Sequence, residues 1–268
     1  MDPRSALPPP LRHAVDQTIA AERLEGWAPT DAHVAELVAL ARDELPFGEY
    51  LGAHRARYPP AAPPPRTLGR ILRRNRPYLL PGSTVLRNNF GAETHTMLAD
   101  LEYIATAGRL LQWHRGLLDG HVELSVRAMH QHVFGDVYAW AGKYRVTELA
   151  RGESAFIWQA DIDREMADID EWAGALAGSS DLDDARLGYE LSRLYADYNQ
   201  VHPFREGNGR TGTLLLHTVA AACGRRLDLS HVSRSEWYAA SRDSTPFRRD
   251  GRANHRPFIP LLVRAVRS

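Results

Sequence analysis

An all-α, mainly helical fold follows from three features of the chain. Apolar residues recur at helical spacing through most of its 268 residues, as in "DARLGYELSRLYADYNQV" and "HTMLADLEYIATAGRLLQWHRGLL". Helix punctuation flanks several of these segments, with Thr30 as an N-cap and Gly26 as a stop. β-prone residues concentrate in one place, "YRVTELARGESAFIW" (144–158), around the turn-like "ARGES". One short β-hairpin is expected there.

The elements can be taken in order. "LRHAVDQTIAAERLEG" carries Leu11, Val15, Ile19 and Leu24 on one helical face and ends at Gly26. "PTDAHVAELVALARDEL" presents Val34, Leu37, Val38 and Ala41 after its Thr30 cap, and "PFGEYLGAHRARY" supplies a third short helix. This small N-terminal helical unit buries too little surface to be very stable alone and is expected to dock on the rest of the chain. Five prolines in "RYPPAAPPPRT" (57–67) exclude helix and favour an extended connector. The expected organisation is a helical module over 1–57, a linker over 58–67 and a larger domain over 68–268.

In that larger part, "HTMLADLEYIATAGRLLQWHRGLL" and "ELSVRAMHQHVFGDVYAW" each have an apolar helical face. Past the hairpin, helical spacing returns in "DIDREMADIDEWAGAL". The next helix places Leu187, Leu191, Leu194, Tyr198 and Val201 on one face. "TLLLHTVAAACG" is apolar all round, the mark of a central buried helix.

Composition narrows the function classes. Thirty-three basic residues balance thirty-three acidic ones, so no bulk field favours nucleic acid or an anionic membrane. Cys223 is the single cysteine, which excludes an internal disulfide and reads as a small buried thiol. No apolar stretch is long enough to span a bilayer, and a cytoplasmic location is expected. The pair His130 and His132 lacks further ligand spacing, so packing roles are expected. The basic "FRRDGRANHRPF" is sparse in stacking aromatics and reads as a solvated segment rather than an RNA contact.

Chemistry concentrates in "NQVHPFREGNGRTGTLLL" (199–216). Gly207 and Gly209 let a ligand approach the backbone, and the N–H groups beside them can form an anion nest at the start of the next helix. Arg210 offers a planar fork for phosphate, Glu206 a hard oxygen ligand for Mg²⁺, and His202 a general base near neutral pH. A plain helix–loop–helix turn needs no histidine, acid and arginine around its glycines. Together these groups suit transfer of a phosphorus-centred group from a nucleotide to an alcohol.

The run "HPFREGNGRTGT" resembles the signature of the Fic family: histidine, x, Phe, x, acid, Gly-Asn-Gly-Arg, x, x, Arg. The resemblance extends to "VLRNNFGAETHTMLADLE", to "MHQHVFGDVYAWAGKYR" and to "ESAFIW", and covers about residues 78–244. It implies a Fic-type helical core with a hairpin flap, and AMP transfer from ATP with Mg²⁺ to a hydroxyl of a protein target. By the same resemblance, His202 is the base, Phe204 anchors the loop, and Glu206 holds Mg²⁺. Gly207, Asn208 and Gly209 line the anion hole, and Arg210 meets the outer phosphates. Ala155, Phe156, Ile157 and Trp158 form the target-docking flap. A type II topoisomerase subunit is the target suggested by related toxins.

Thr213 departs from the pattern, standing where the family has its second arginine. Losing a cation at a partly desolvated phosphate costs on the order of 2–5 kcal/mol of binding. Three consequences stay open: weak catalysis, another donor or donor orientation, or a cation supplied from elsewhere. A phosphotransferase and a catalytically silent nucleotide-binding module are therefore the alternatives. "AVDQTIAAERLEGWAPT" resembles small antitoxins that inhibit Fic toxins, with Ala21, Glu25 and Gly26 at the motif positions. That implies a toxin-like, autoinhibited enzyme in which Glu25 blocks the phosphate site, with Arg210 as its expected partner.

Overall fold

The computed structural model describes residues 2–58, 76–151, 154–179 and 181–268. Nearly all of the proline-rich linker therefore lies outside the described residues. Three helices form the N-terminal part: α1 (Pro9–Glu25), α2 (Asp31–Ala41) and α3 (Phe47–Arg55). Next come α4 (His95–Leu118), α5 (Val126–Phe134), α6 (Ile162–Ala177), α7 (Asp184–Val201) and α8 (Asn208–Ala222). Helices α9 (Arg234–Ser244) and α10 (Ile259–Val263) complete the set. Among the described residues no helix is long and apolar enough to cross a membrane.

Local chemistry sets most of these boundaries. Thr30 caps α2 by accepting the His33 N–H at 3.3 Å, and Gly26 ends α1 in the left-handed conformation at φ 107°. Helix α8 is the central one, with all but three of its residues buried. Helices α4, α5, α6 and α7 surround it. The N-terminal helices do not stand apart: α1 lies along α4 and α8, and Val15, Ile19, Leu24 and Leu37 belong to the same continuous core as Leu110 and Leu215. The apolar stripe read on α1 is thus satisfied inside the molecule.

The expected helix in "ELSVRAMHQHVFGDVYAW" is shorter than its apolar pattern. It stops at Phe134, because Gly135 and the turns that follow redirect the chain. The hairpin is also shorter than the β-prone run. Only β1 (Ala150–Arg151) pairs with β2 (Ser154–Ala155), in antiparallel register. A second two-stranded ladder, β3 (Arg226–Leu227) with β4 (Val266–Arg267), joins the end of α8 to the C-terminus. Two-residue strands leave no alternation to read, which is why that ladder is silent in the sequence. Cys223 is half-buried rather than buried, its thiol directed at the Leu176 carbonyl at 3.3 Å. The basic C-terminal segment is pinned as well as solvated, since Gln200 donates to the carbonyls of Arg249 (3.1 Å) and Gly251 (2.6 Å).

One contact reports how tightly α7 meets α10. A methyl group on Gly188 would lie 2.6 Å from Val263 Cα and 2.9 Å from its nitrogen, both backbone atoms that cannot yield cheaply. Gly188→Ala is expected to lower unfolding stability by about 1–3 kcal/mol, read from urea denaturation midpoints.

Candidate active site

Helix α7 ends on His202, which holds φ 47°, a left-handed conformation uncommon for a residue with a Cβ. Its N–H still closes the helix on the Tyr198 carbonyl at 3.0 Å. The chain then turns through Pro203 and Phe204 and re-enters helix at Asn208, with Gly207 as N-cap at φ 82°. Phe204 is fully buried and stacks on His130 at 3.8 Å between ring centroids, as a loop anchor should. Gly207 is obligatory here for a second reason: the Phe134 ring fills the space where a Cβ would go.

Side chains brace this loop through its own backbone. Asn208 accepts the Phe204 N–H at 2.9 Å and donates to the Phe204 carbonyl at 2.8 Å, so its amide staples the turn. Arg145, 2 % exposed, donates to the carbonyls of His202 (2.9 Å), Thr147 (2.9 Å), Ile157 (2.5 Å) and Val201 (3.2 Å). One guanidinium thus ties His202 to the segment after the hairpin. His130 accepts the Gly142 N–H on Nδ1 at 2.9 Å, which leaves Nε2 protonated and donating to the Glu206 carbonyl at 3.0 Å. Burial pushes its imidazole down to about 3, so it stays neutral in that role.

The reactive groups share one cavity of about 280 Å³. His202, Glu206, Asn208 and Gly209 line it together with the aromatic Tyr198, Trp237 and Tyr238. The imidazole of His202 stacks flat on Phe156, 3.9 Å apart and 6° from parallel. Burial and the nearby Glu102 charge push the Glu206 carboxyl up, against Arg210 and the Gly207 N–H, which pull it down. No cluster of three metal-ligating side chains occurs among the described residues.

Glu25 enters this cavity from the end of α1. Its Oε1 fills the space where a Cβ on Gly209 would stand, beside the positive N-terminus of α8. Tyr103 holds the carbonyl of Glu25 at 3.0 Å, Ala21 is buried in the core, and Arg234 lies across Gly26, 3.1 Å from the place of a Cβ.

Two expectations need restating. Arg210 is not extended into the cavity but buried at 3 % exposure. There it pairs with Glu102, lies 3.5 Å from Glu22 and donates to Thr106 at 3.0 Å. The carboxyls beside it are Glu102 on α4 and Glu22, one turn earlier on α1 than the Glu25 expected there. Thr213 faces inward too, its hydroxyl donating to the Arg210 carbonyl at 3.0 Å within the same helix, so it supplies neither charge nor donor to the cavity. In the flap, the Phe156 and Ile157 amides are engaged internally, on the carbonyls of Leu149 (3.3 Å) and Gln200 (3.2 Å). Ala155 pairs with Ala150, and Trp158 is 53 % exposed beneath the Arg249 guanidinium at 3.8 Å.

Comparison with known proteins shows a family and a shared fold. Residues 106–220 match the Fic/DOC family model. A probable protein adenylyltransferase of Sinorhizobium fredii, y4lH, is 34% identical over 160 residues, 58% of this chain and 81% of its own length. The chain belongs to the Fic/DOC family. Probable protein adenylyltransferase Fic of Escherichia coli is 29% identical over 170 residues, 62% of this chain and 82% of that protein. The protein adenylyltransferase VbhT of Bartonella schoenbuchensis is 29% identical over 63% of this chain, and the match spans only 36% of VbhT. The Fic fold is shared with BepC of Bartonella tribocorum, solved with AMPPNP, at a TM-score of 0.59 and 17% identity over 71% of this chain and 96% of that one.

Glu102, Glu22, Thr106, Arg145 and His130 were not singled out as site residues by sequence reasoning, beyond the packing role given to His130. Arg145 generates the sharpest expectation, because a lysine cannot reach four carbonyls from one planar fork. Arg145→Lys is expected to cost about 2–4 kcal/mol of unfolding stability, measured in urea, through the carbonyls it leaves unsatisfied.

Proposed function

We propose that this chain transfers AMP from ATP to a hydroxyl side chain of a protein target and that α1 restrains it. The observation carrying this reading is the placement of His202 beside Glu206 and the glycine-capped start of α8, around one cavity. Relatives named protein adenylyltransferase support the same reaction. BepC, solved with AMPPNP, supports a nucleotide as the donor.

In this reading the triphosphate lies over Gly207 and Gly209, where main-chain N–H groups and the helix N-terminus favour negative charge. The aromatic wall of Tyr198, Trp237 and Tyr238 receives the base. His202 accepts the proton of the target hydroxyl while that oxygen forms a bond to the α-phosphorus. The bond to the bridging oxygen breaks, and pyrophosphate leaves with its electron pair. Glu206 would hold Mg²⁺ through a hard carboxylate oxygen, and the ion would supply charge neutralisation at the phosphates. The flap aligns the target, with the exposed Trp158 as a contact; its carbonyls are the groups for strand-like pairing where its Phe156 and Ile157 amides are engaged. The Glu25 carboxylate competes for the same space at Gly209 and repels a phosphate. A toxin-like enzyme restrained by its own N-terminal module follows.

The decisive test incubates the chain with α-labelled and γ-labelled ATP and candidate substrates, a type II topoisomerase subunit first. Label from the α position is expected on protein, at least tenfold stronger in Glu25→Gly. His202→Ala should lower it by about 10²–10⁴-fold, the usual contribution of a general base. Transfer of γ-label alone would move the assignment to phosphorylation, the reading that Thr213 favours. No label from either, in intact and Glu25→Gly chains alike, would leave a nucleotide-binding module.

A further inference from the structure

We propose that Glu22, one turn before Glu25, is a second restraining residue, and that it acts as a neutral carboxyl that binds a proton when α1 is seated and releases it when α1 lifts. This rests on the reading that α1 blocks the nucleotide site, and it adds a residue and a chemical signal to that restraint.

The hydrogen-bond network has a place for the proton. Thr106 Oγ1 lies 2.5 Å from Glu22 Oε1, 2.8 Å from the Glu102 carbonyl oxygen and 3.0 Å from Arg210 Nη1. A hydroxyl has one proton to give and two lone pairs to offer. With Glu22 ionised, Thr106 donates to the carboxylate, and the Glu102 carbonyl keeps only its helix partner. With Glu22 protonated, its O–H donates to Thr106, Arg210 donates to Thr106, and Thr106 donates to the Glu102 carbonyl. Every position is then filled.

The remaining geometry agrees. Glu22 is fully buried, and its Oε2 has no hydrogen bond among the described residues, with Arg210 Nη1 standing 3.5 Å away. An unbonded oxygen at that depth is tolerable on a neutral carboxyl and costly on a carboxylate. The groups facing it are Glu25 on α1, Glu102 and Tyr103 on α4, Arg210 on α8, and Tyr50 on α3, with Glu206 in the loop beyond. One guanidinium stands among four carboxyls. Burial accordingly pushes Glu22 up to about 8, against Arg210 and Thr106, which pull it down.

The sign follows from linkage. Lifting α1 returns Glu22 to water and its ordinary pKa of 4.5, so the seated state holds one proton more across the interval from 4.5 to about 8. A raised carboxyl is fully compatible with seating below that interval, and the compatibility is lost as pH rises through it. The lifting equilibrium therefore gains roughly tenfold per pH unit. Glu206 and Glu102 add their own pH dependence, and an uncharged isostere at 22 isolates the part due to Glu22.

The test uses the full chain and Glu22→Gln. Urea unfolding is measured at pH 5.5 and 7.5. The unfolding constant of the unsubstituted chain should rise by about 100-fold more over this range than that of Glu22→Gln, from tenfold per unit. Calorimetric titration with ADP at pH 6.5, in buffers of different ionisation enthalpy, should show nearly one proton more released by the unsubstituted chain. Equal stability slopes would overturn the proton on Glu22. Unequal slopes with equal proton release would overturn its link to nucleotide binding. Absence of ADP binding in both chains and in Glu25→Gly would overturn the nucleotide reading itself, and the coupling with it.

Discussion

The Arg210 guanidinium, buried among Glu102, Glu22 and Thr106, is the constraint around which the site is built. It lies over the Phe134 ring at 4.7 Å, and its two Nη groups are bonded to Thr106 and Glu102. Removing such a charge from water is expensive, and only matched partners make it tolerable. Those partners come from α1 and α4 while the arginine belongs to α8. A residue that motif position assigns to the ligand thereby joins three helices.

The rest of the active loop is positioned through main-chain carbonyls and amides. Arg145 binds the His202 carbonyl, His130 binds the Glu206 carbonyl, and Asn208 binds both main-chain groups of Phe204. Fixing the backbone leaves the His202 and Glu206 side chains directed into the cavity. The same economy explains the φ of His202: the strain of a left-handed residue is held by the helix bond behind it and the Arg145 bond ahead. One guanidinium holds the main chain at both His202 and Ile157.

Thr213 changes meaning when the surroundings are known. A position that ordinarily carries a second cation here points back along its own helix, bonded to the Arg210 carbonyl. Position 213 carries no charge, and α1 meets Gly209 through Glu25 and Arg210 through Glu22. The loop's composition was readable as phosphate chemistry because glycines, acid, histidine and arginine have few other reasons to stand together. The partners of Arg210 were not readable. Glu22 and Glu102 sit among the charged residues of amphipathic helices, and a solvated glutamate and a buried one have the same letter.

The sequence by itself determined the helical architecture, the positions of α1, α2, α4, α7 and α8, the glycine loop and its family, because periodicity, caps and a dense motif are local properties. It also placed Glu25 near the end of a helix that resembles an inhibitor. The tertiary structure alone decided where the charges go: Arg210 inward, Glu25 over Gly209, Glu22 into a shared network with Thr106. Ion pairing and desolvation depend on distances between segments far apart in the chain, with 84 residues between Glu22 and Thr106 and 104 between Thr106 and Arg210. No local pattern encodes such a distance; only the packing of α1 and α4 against α8 sets it.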